Sequence, residues 1–416
     1  MPTGGGKLKL YRIALRNISR NRRRSILSGT AIVVATLSIV FMFSLVYGMM
    51  GDMRDNIFHY ITGHIRIRNS EYAKYENLNP LHLRIKNYQA IIDKIKEDNN
   101  VLAVSPRIRF FASIYRNDKD YKGIGLAVNF NLEKDFEDFK NNLIKGVLPK
   151  PGRREILVSS GLAEEMGITT GDKITMLSKS MYMGMSGMTF KISGIVKFNV
   201  ESFNKSFFYM PIDTAQRFLK MDNSVTEILV LLKSLTGLKE STAGIRKLLK
   251  GIGQPLEVAP WTSFGTWYSI INMAETVYQF IALIFFILGS TVIINTTMMV
   301  IYERMREIGT MSAMGMTGGE IVTLFFLESF FISFISAFIG VAIGVAITLP
   351  MAKYGLDLST LLQGIDFNVS TVLYPKLDIR STVLVFFYAV VVSSFASFIP
   401  SRRAAKVEPV EALRAL

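Results

Sequence analysis

Residues 276–302 read TVYQFIALIFFILGSTVIINTTMMVIY, 27 positions without a charged side chain. An α-helix rises about 1.5 Å per residue and the hydrocarbon core of a bilayer is about 30 Å thick, so about 20 apolar residues cross it. Three further uncharged runs, 25–51, 329–352 and 381–401, hold 27, 24 and 21 residues. Soluble proteins rarely bury uncharged helices of that length, so four such runs in one chain predict four membrane spans. The first run follows a basic stretch, as a secretory signal does. Its apolar part is too long for a signal core and no small-x-small site precedes Asp52, which predicts an uncleaved anchor.

Composition agrees. The chain has 416 residues, half of them hydrophobic, with 48 Lys and Arg against 33 Asp and Glu, three His and no Cys. The apolar fraction excludes disorder, and the absence of Cys excludes a disulfide scaffold, a lipoprotein anchor and palmitoylation. Before the first run stand Lys7, Lys9, Arg12, Arg16, Arg20, Arg22, Arg23 and Arg24 with no acid, which predicts a cytoplasmic N-terminus. Phospholipid of the inner leaflet suits these residues better than nucleic acid, which is not expected as a partner. Four spans return the C-terminus to the same side, where Arg402, Arg403, Lys406 and Arg414 agree.

The expected fold is an α-helical membrane protein with four transmembrane helices plus a large α+β extracytoplasmic domain between the first and second helices. The segments are a basic cytoplasmic stretch 1–24, a first span 25–51, an outer domain 52–274 and a second span 275–302. A cytoplasmic segment 303–320, a third span 321–352, an outer loop 353–380, a fourth span 381–401 and a cytoplasmic tail 402–416 follow. In the outer domain, alternation predicts strands at 63–68, 155–158, 173–177, 189–198 and 226–233. Helical spacing predicts 87–98 with Ile91, Ile92 and Ile95 inward, 160–166 ended by Gly167, a helix capped by Asp213, and 238–250.

No catalytic motif stands out. A phosphate-binding Gly-x-x-x-x-Gly-Lys-[Ser/Thr], a His-Glu-x-x-His, a Cys pair and a Gly-x-Ser-x-Gly are all absent, and His59, His64 and His82 have no acidic cluster in sequence. No enzyme activity, cofactor or metal is expected in this chain. The loop 181–188 places four Met in eight residues. A flexible hairpin tip, a pliable apolar contact for a varied client or partner, and a Cu(I) site remain open for it.

Two segments are more specific. Directly after the second run comes Glu303-Arg304-Met305-Arg306-Glu307-Ile308-Gly309-Thr310-Met311-Ser312-Ala313-Met314-Gly315-Met316. After the fourth comes Pro400-Ser401-Arg402-Arg403-Ala404-Ala405-Lys406-Val407-Glu408-Pro409-Val410-Glu411-Ala412-Leu413-Arg414. Here the chain resembles the FtsX/MacB-type permeases of ABC transporters, whose motifs read E-R-x-R-E-I-G-x-x-x-A-x-G and P-x-x-R-A-A-x-x-x-P-V-E-A-L-R. Ile13-Ala14-Leu15-Arg16-Asn17 and Thr62-Gly63-His64-Ile65-Arg66-Ile67 are most similar to the LolC/LolE lipoprotein-releasing branch, and 155–173 is similar to the MacB-like outer core.

That resemblance implies a bacterial inner (cytoplasmic) membrane subunit, multi-pass with both termini cytoplasmic, paired with a second permease copy or a paralogue. It implies a cytoplasmic ABC ATPase dimer that binds the ATP and Mg, and a lipoprotein client handed to a periplasmic chaperone. The coupling helix it implies takes in Glu303, Arg304, Arg306, Glu307, Ile308, Gly309, Met311, Ala313 and Gly315. Helical spacing puts Met305, Ile308, Met311 and Gly315 on one stripe, which suits a partner's groove better than a lipid surface. Phe41, Phe43, Val46, Tyr47 and Met50 at the outer end of the first span, with Tyr278 and Phe285 of the second, suit a client's acyl chains as well as core packing. Ser336, Gly340 and Gly344 recur every four residues, a face that lets another helix approach closely. Glu328, eight residues past Glu320, is near enough to the inner interface to snorkel. Two other readings stand beside lipoprotein extraction: an FtsX-like regulator of cell-wall hydrolases, and MacB-like expulsion of periplasmic substrates. MacB itself carries an N-terminal ATPase domain, for which 24 residues are too few, and FtsX has a smaller outer domain.

Overall fold

The computed structural model describes residues 5–20, 22–116, 119–198, 200–357, 372–398 and 401–402. Residues 403–416 of the tail and 358–371 of the outer loop lie outside them. The chain forms two compact units, one of residues 1–50, 274–356 and 373–416, the other of 51–273 with 357–372.

In the first unit, three helices among the described residues are long and apolar enough to cross a membrane: Ser25–Thr62, Gly318–Tyr354 and Ile379–Ala396. The uncharged run 276–302 lies in a 39-residue helix, Gly265–Glu303. The basic N-terminal segment forms a helix of its own, Gly5–Arg20, which packs on Gly318–Tyr354 with the Tyr11 and Phe331 rings 5.1 Å apart edge to face. Gly318–Tyr354 starts with a capping box, in which Thr317 Oγ1 accepts from the Glu320 amide and the Glu320 carboxylate accepts from the Thr317 amide. The Ile379–Ala396 helix starts where the Asp378 carboxylate accepts from the Ser381 amide at 2.8 Å.

Small residues set how closely these helices approach. A Cβ added at Gly340 would lie 2.8 Å from the Val33 carbonyl oxygen and 2.9 Å from Thr36 Cβ. One added at Gly344 would lie 3.1 Å from the Val40 side chain, and one at Gly29 would lie 2.8 Å from Ser336 Oγ. Ser336, Gly340 and Gly344 therefore sit against the first long helix. Ala337, on the adjoining face, packs with Ala389 and Val390 of the Ile379–Ala396 helix.

The second unit is α+β. Its ten-stranded mixed sheet runs in the order Leu256–Pro260, Ile65–Asn69, Glu227–Leu232, Val101–Arg116, Lys119–Val128, Phe207–Pro211, Glu155–Ser159, Met185–Val196, Leu143–Gly146. The tenth strand, Lys173–Lys179, pairs with both Val101–Arg116 and Met185–Val196. Period-two alternation sends Val104, Ile108, Phe110, Ala112 and Ile114 to one face, where the helices Tyr88–Ile95, Ser160–Met166, Ile212–Leu219 and Leu238–Leu249 cover them. Gly167, at φ 61°, ends the second of these helices in the left-handed region that glycine tolerates. Asp213 lies inside the first turn of its helix, with no side-chain cap at Pro211. Its carboxylate accepts instead from the Gly152 amide at 2.5 Å.

The opposite face of the sheet receives Phe58–Thr62, the last turn of the Ser25–Thr62 helix. Phe58 packs there with Ala103, Phe136, Leu229 and Leu231. Arg107 fixes this end: its guanidinium donates to the His59 and Tyr60 carbonyls at 2.8 and 3.0 Å and makes a two-pronged pair with Glu133 at 3.0 and 2.8 Å. Those carbonyls belong to a helix terminus that has no further turn to satisfy them, so the guanidinium takes the place of the missing amides.

Candidate functional site: the Glu303–Met316 turn

The backbone leaves helical geometry at Arg304, with φ −98° and ψ 12°, between the Gly265–Glu303 helix and a second one, Met305–Ala313. Gly315, at φ 93°, turns the chain back into the Gly318–Tyr354 helix. Reversal brings the stripe onto the foot of that helix. Ile308, 2 % exposed, clusters with Ile321 and Phe325, and Met305, Met311 and Met316 pack around them.

This corrects the groove expectation. Met305, Ile308 and Met311 are used within the chain, because the Gly315 turn is short enough to fold the apolar stripe onto Ile321 and Phe325. Gly309 is buried too. The face left exposed holds Glu303, Arg306, Glu307, Thr310, Ala313, Met314 and Gly315, with Met314 76 % exposed. Any partner of this turn meets that mixed polar face.

Arg304 is 3 % exposed and holds three groups. Its guanidinium donates to the Glu307 carboxylate at 2.9 Å and to the Glu328 carboxylate, and it lies 5.5 Å from the centre of the Phe325 ring. Glu328, 6 % exposed, is thus held in an ion pair inside the fold rather than snorkelling to the interface. The two residues lie 24 apart in sequence, and it is the turn that brings them together.

The residues suggested for acyl chains separate. Tyr47 is 49 % exposed, and Phe41, Val46 and Met50 are half-buried. Phe43 packs with Ile39, Val40 and Val385. The side chains of Tyr278 and Phe285 lie outside the described residues. In the second unit the Met-rich loop is a hairpin tip between Lys173–Lys179 and Met185–Val196, with Tyr182, Met183 and Met185 between 64 % and 68 % exposed and Met181 buried. Among the described residues no three His, Asp or Glu converge as a metal-binding set.

Charge is also buried in the second unit. Arg66 pairs with Glu227 at 2.5 Å and Glu76 at 2.7 Å, and Arg68 with Glu76 at 2.8 Å and Glu257 at 2.9 Å. Burial pushes the Glu76 carboxyl up, but the two guanidiniums outweigh it and hold it below its ordinary value. At Glu137 burial outweighs the Tyr60 hydroxyl's hydrogen bond and the Arg107 guanidinium, both of which lower it, and raises the carboxyl to about 7. Burial, then the neighbouring His59, lowers His64 to about 4, and the neutral ring accepts the Leu232 amide at Nδ1. A cavity of about 170 Å³ opens beside these groups, lined by Tyr60, Ile61, Arg109, Leu126, Phe203 and Phe207 among others.

Fold and turn together define a class: an integral membrane protein with an α+β domain after its first apolar helix and a short amphipathic helix ahead of a long apolar one. Residues 25–248, more than half of the chain, match the MacB-like periplasmic core domain family, and residues 279–409 match the FtsX-like permease C-terminal family. The chain belongs to the FtsX-like permeases that carry a MacB-like periplasmic core domain. It is 21 % identical over 424 aligned residues to the lipoprotein-releasing system transmembrane protein LolC of Xylella fastidiosa, covering 97 % of this chain and 98 % of that one. An uncharacterized ABC transporter permease of Methanocaldococcus jannaschii is 22 % identical over 96 % of both chains. The extracellular domain of the noncanonic ABC-type transporter YknZ from Gram-positive bacteria, a crystal structure, is 16 % identical with a TM-score of 0.35, covering 47 % of this chain and 98 % of that one.

Proposed function

We propose that the chain is the non-catalytic permease subunit of an ABC transporter that extracts lipoproteins from the outer leaflet of the bacterial inner membrane and passes them to a periplasmic chaperone. The observation that carries this reading is the likeness to LolC along almost the whole of both chains, outer domain included. Four spans, with both termini in the cytoplasm, place the 303–316 turn beside a separate ATPase dimer that binds ATP and Mg. A second permease copy or paralogue completes the complex. Work done on the turn reaches the outer domain through the helices, and the client's acyl chains rest against the outer ends of the first two spans.

Affinity purification of the tagged full chain from its native membrane tests the reading. A separate ABC ATPase together with acylated lipoproteins is the expected yield. A cell-wall hydrolase in place of lipoproteins overturns it in favour of the FtsX-like regulator, and an outer-membrane duct protein in favour of MacB-like expulsion.

A further inference from the structure

The break at Arg304 lies at one end of the Met305–Ala313 helix, and among the described residues the buried apolar stripe of that helix packs on the Gly318–Tyr354 helix. Ile308 packs on Ile321 and Phe325. The Arg304 guanidinium, inside the same cluster, crosses to Glu328. A buried ion pair with a directed guanidinium fixes both separation and rotation, which apolar packing alone leaves soft.

We infer that the Arg304–Glu328 pair locks the Met305–Ala313 helix to the foot of the Gly318–Tyr354 helix as one rigid body, which leaves the joint of the turn at Arg304, between that body and the Gly265–Glu303 helix. Arg304 and Glu328 are positioning residues. Under the coupling reading proposed above, on which only this consequence rests, a push on the exposed face at Thr310 and Met314 moves the Gly318–Tyr354 helix directly and the Gly265–Glu303 helix through a hinge.

The chain has no Cys, so pairs of spin labels report single distances. In the full chain in lipid nanodiscs, labels at Thr310→Cys and Ile335→Cys span the rigid body, and labels at Leu288→Cys and Thr310→Cys span the joint; all three positions are exposed. The first pair is expected to give a narrow distance distribution and the second one at least twice as wide. Arg304→Met takes the guanidinium from the buried Glu328 carboxylate, and Glu328→Gln leaves the guanidinium with Glu307 on its own helix and no charge across the cluster, so each alone should at least double the width of the first distribution. The double variant Arg304→Met with Glu328→Met, which leaves neither charge and fills the site with apolar volume, should return it close to its original width. A first distribution unchanged in both single variants, or broadened in the double variant by the sum of the two, overturns the inference. The measurement needs neither ATPase nor client, so it stands or falls separately from the transport reading.

Discussion

Gly340→Ala tests the helix packing with a sign as well as a size. In an open helical position, Ala is favoured over Gly by up to about 1 kcal/mol because it loses less backbone freedom on folding. Gly319 is such a position, with nothing within 4 Å of a built Cβ. At Gly340 the new methyl group would lie 2.8 Å from the Val33 carbonyl oxygen, a backbone atom that cannot rotate away. Relief requires the helices to part by several tenths of an ångström along a face that also holds Gly344 and Ser336. Overpacking of this kind costs about 1–3 kcal/mol, so with the full propensity gain subtracted the net loss is about 0–2 kcal/mol, and the contact with a backbone atom puts it in the upper part of that range. Gly344→Ala meets the Val40 side chain at 3.1 Å and the Leu37 carbonyl at an ordinary 3.6 Å, and should be near neutral. Steric trapping of the full chain in bicelles, with biotin tags on the Arg22–Ile57 and Gly318–Tyr354 helices, measures all three variants. The expected order of stability is Gly319→Ala, then Gly344→Ala, then Gly340→Ala. A Gly340→Ala protein as stable as the unsubstituted chain would refute the close approach.

Glu137→Gln should remove a pH dependence in the outer domain. The native carboxyl titrates near 7 and its ordinary value is near 4.5, so the folded state keeps a proton that the unfolded state releases, and stability falls as pH rises from about 4.5 to about 7. The variant should gain up to about 3 kcal/mol above pH 7 and nothing below pH 4, read as the difference between urea melts at each pH. His64 contributes the opposite slope, because its value near 4 makes stability fall as pH drops below about 6.5; the Glu137 difference leaves that slope in place. Arg107→Ala strands the Glu133 carboxylate and frees the His59 and Tyr60 carbonyls, and should cost about 3–5 kcal/mol in the same melts. On the turn, Thr310→Arg or Met314→Asp should abolish pull-down of the ATPase while leaving the melting of the chain unchanged. Ile308→Asp should lower stability first, because it buries a charge against Ile321 and Phe325.

The sequence made the long apolar helices legible because hydrocarbon thickness leaves few alternatives to about 20 uncharged residues. The Tyr88–Ile95 and Ser160–Met166 helices were legible from Ile91, Ile92, Ile95 and the Gly167 stop. The long hairpin of Val101–Arg116 with Lys119–Val128 was not, since Arg107 and Arg109 put charge on its second face, and Arg107 is buried there by Glu133 and the His59 and Tyr60 carbonyls. The turn was recognisable from its motif, but which way its stripe points was not. Period 3.6 identifies a face; only the reversal at Gly315 decides that the face meets Ile321 and Phe325 inside the chain. Arg66 and Arg68, on alternate positions of a period-two strand, lie buried because the nearby Glu76 and, from distant strands, Glu227 and Glu257 meet them.

The most direct test of lipoprotein extraction places a photo-crosslinking residue at Tyr47, the most exposed of the suggested acyl contacts in the first helix, and at Met50, in membranes holding the chain, its ATPase and a lipoprotein in acylated or non-acylated form. Each buried methylene contributes about 0.8 kcal/mol, so removing the acyl chains should reduce crosslinking by at least tenfold, and ATP with vanadate should reduce the yield with the acylated form. Equal crosslinking of the two forms, or none at either position, would contradict the account.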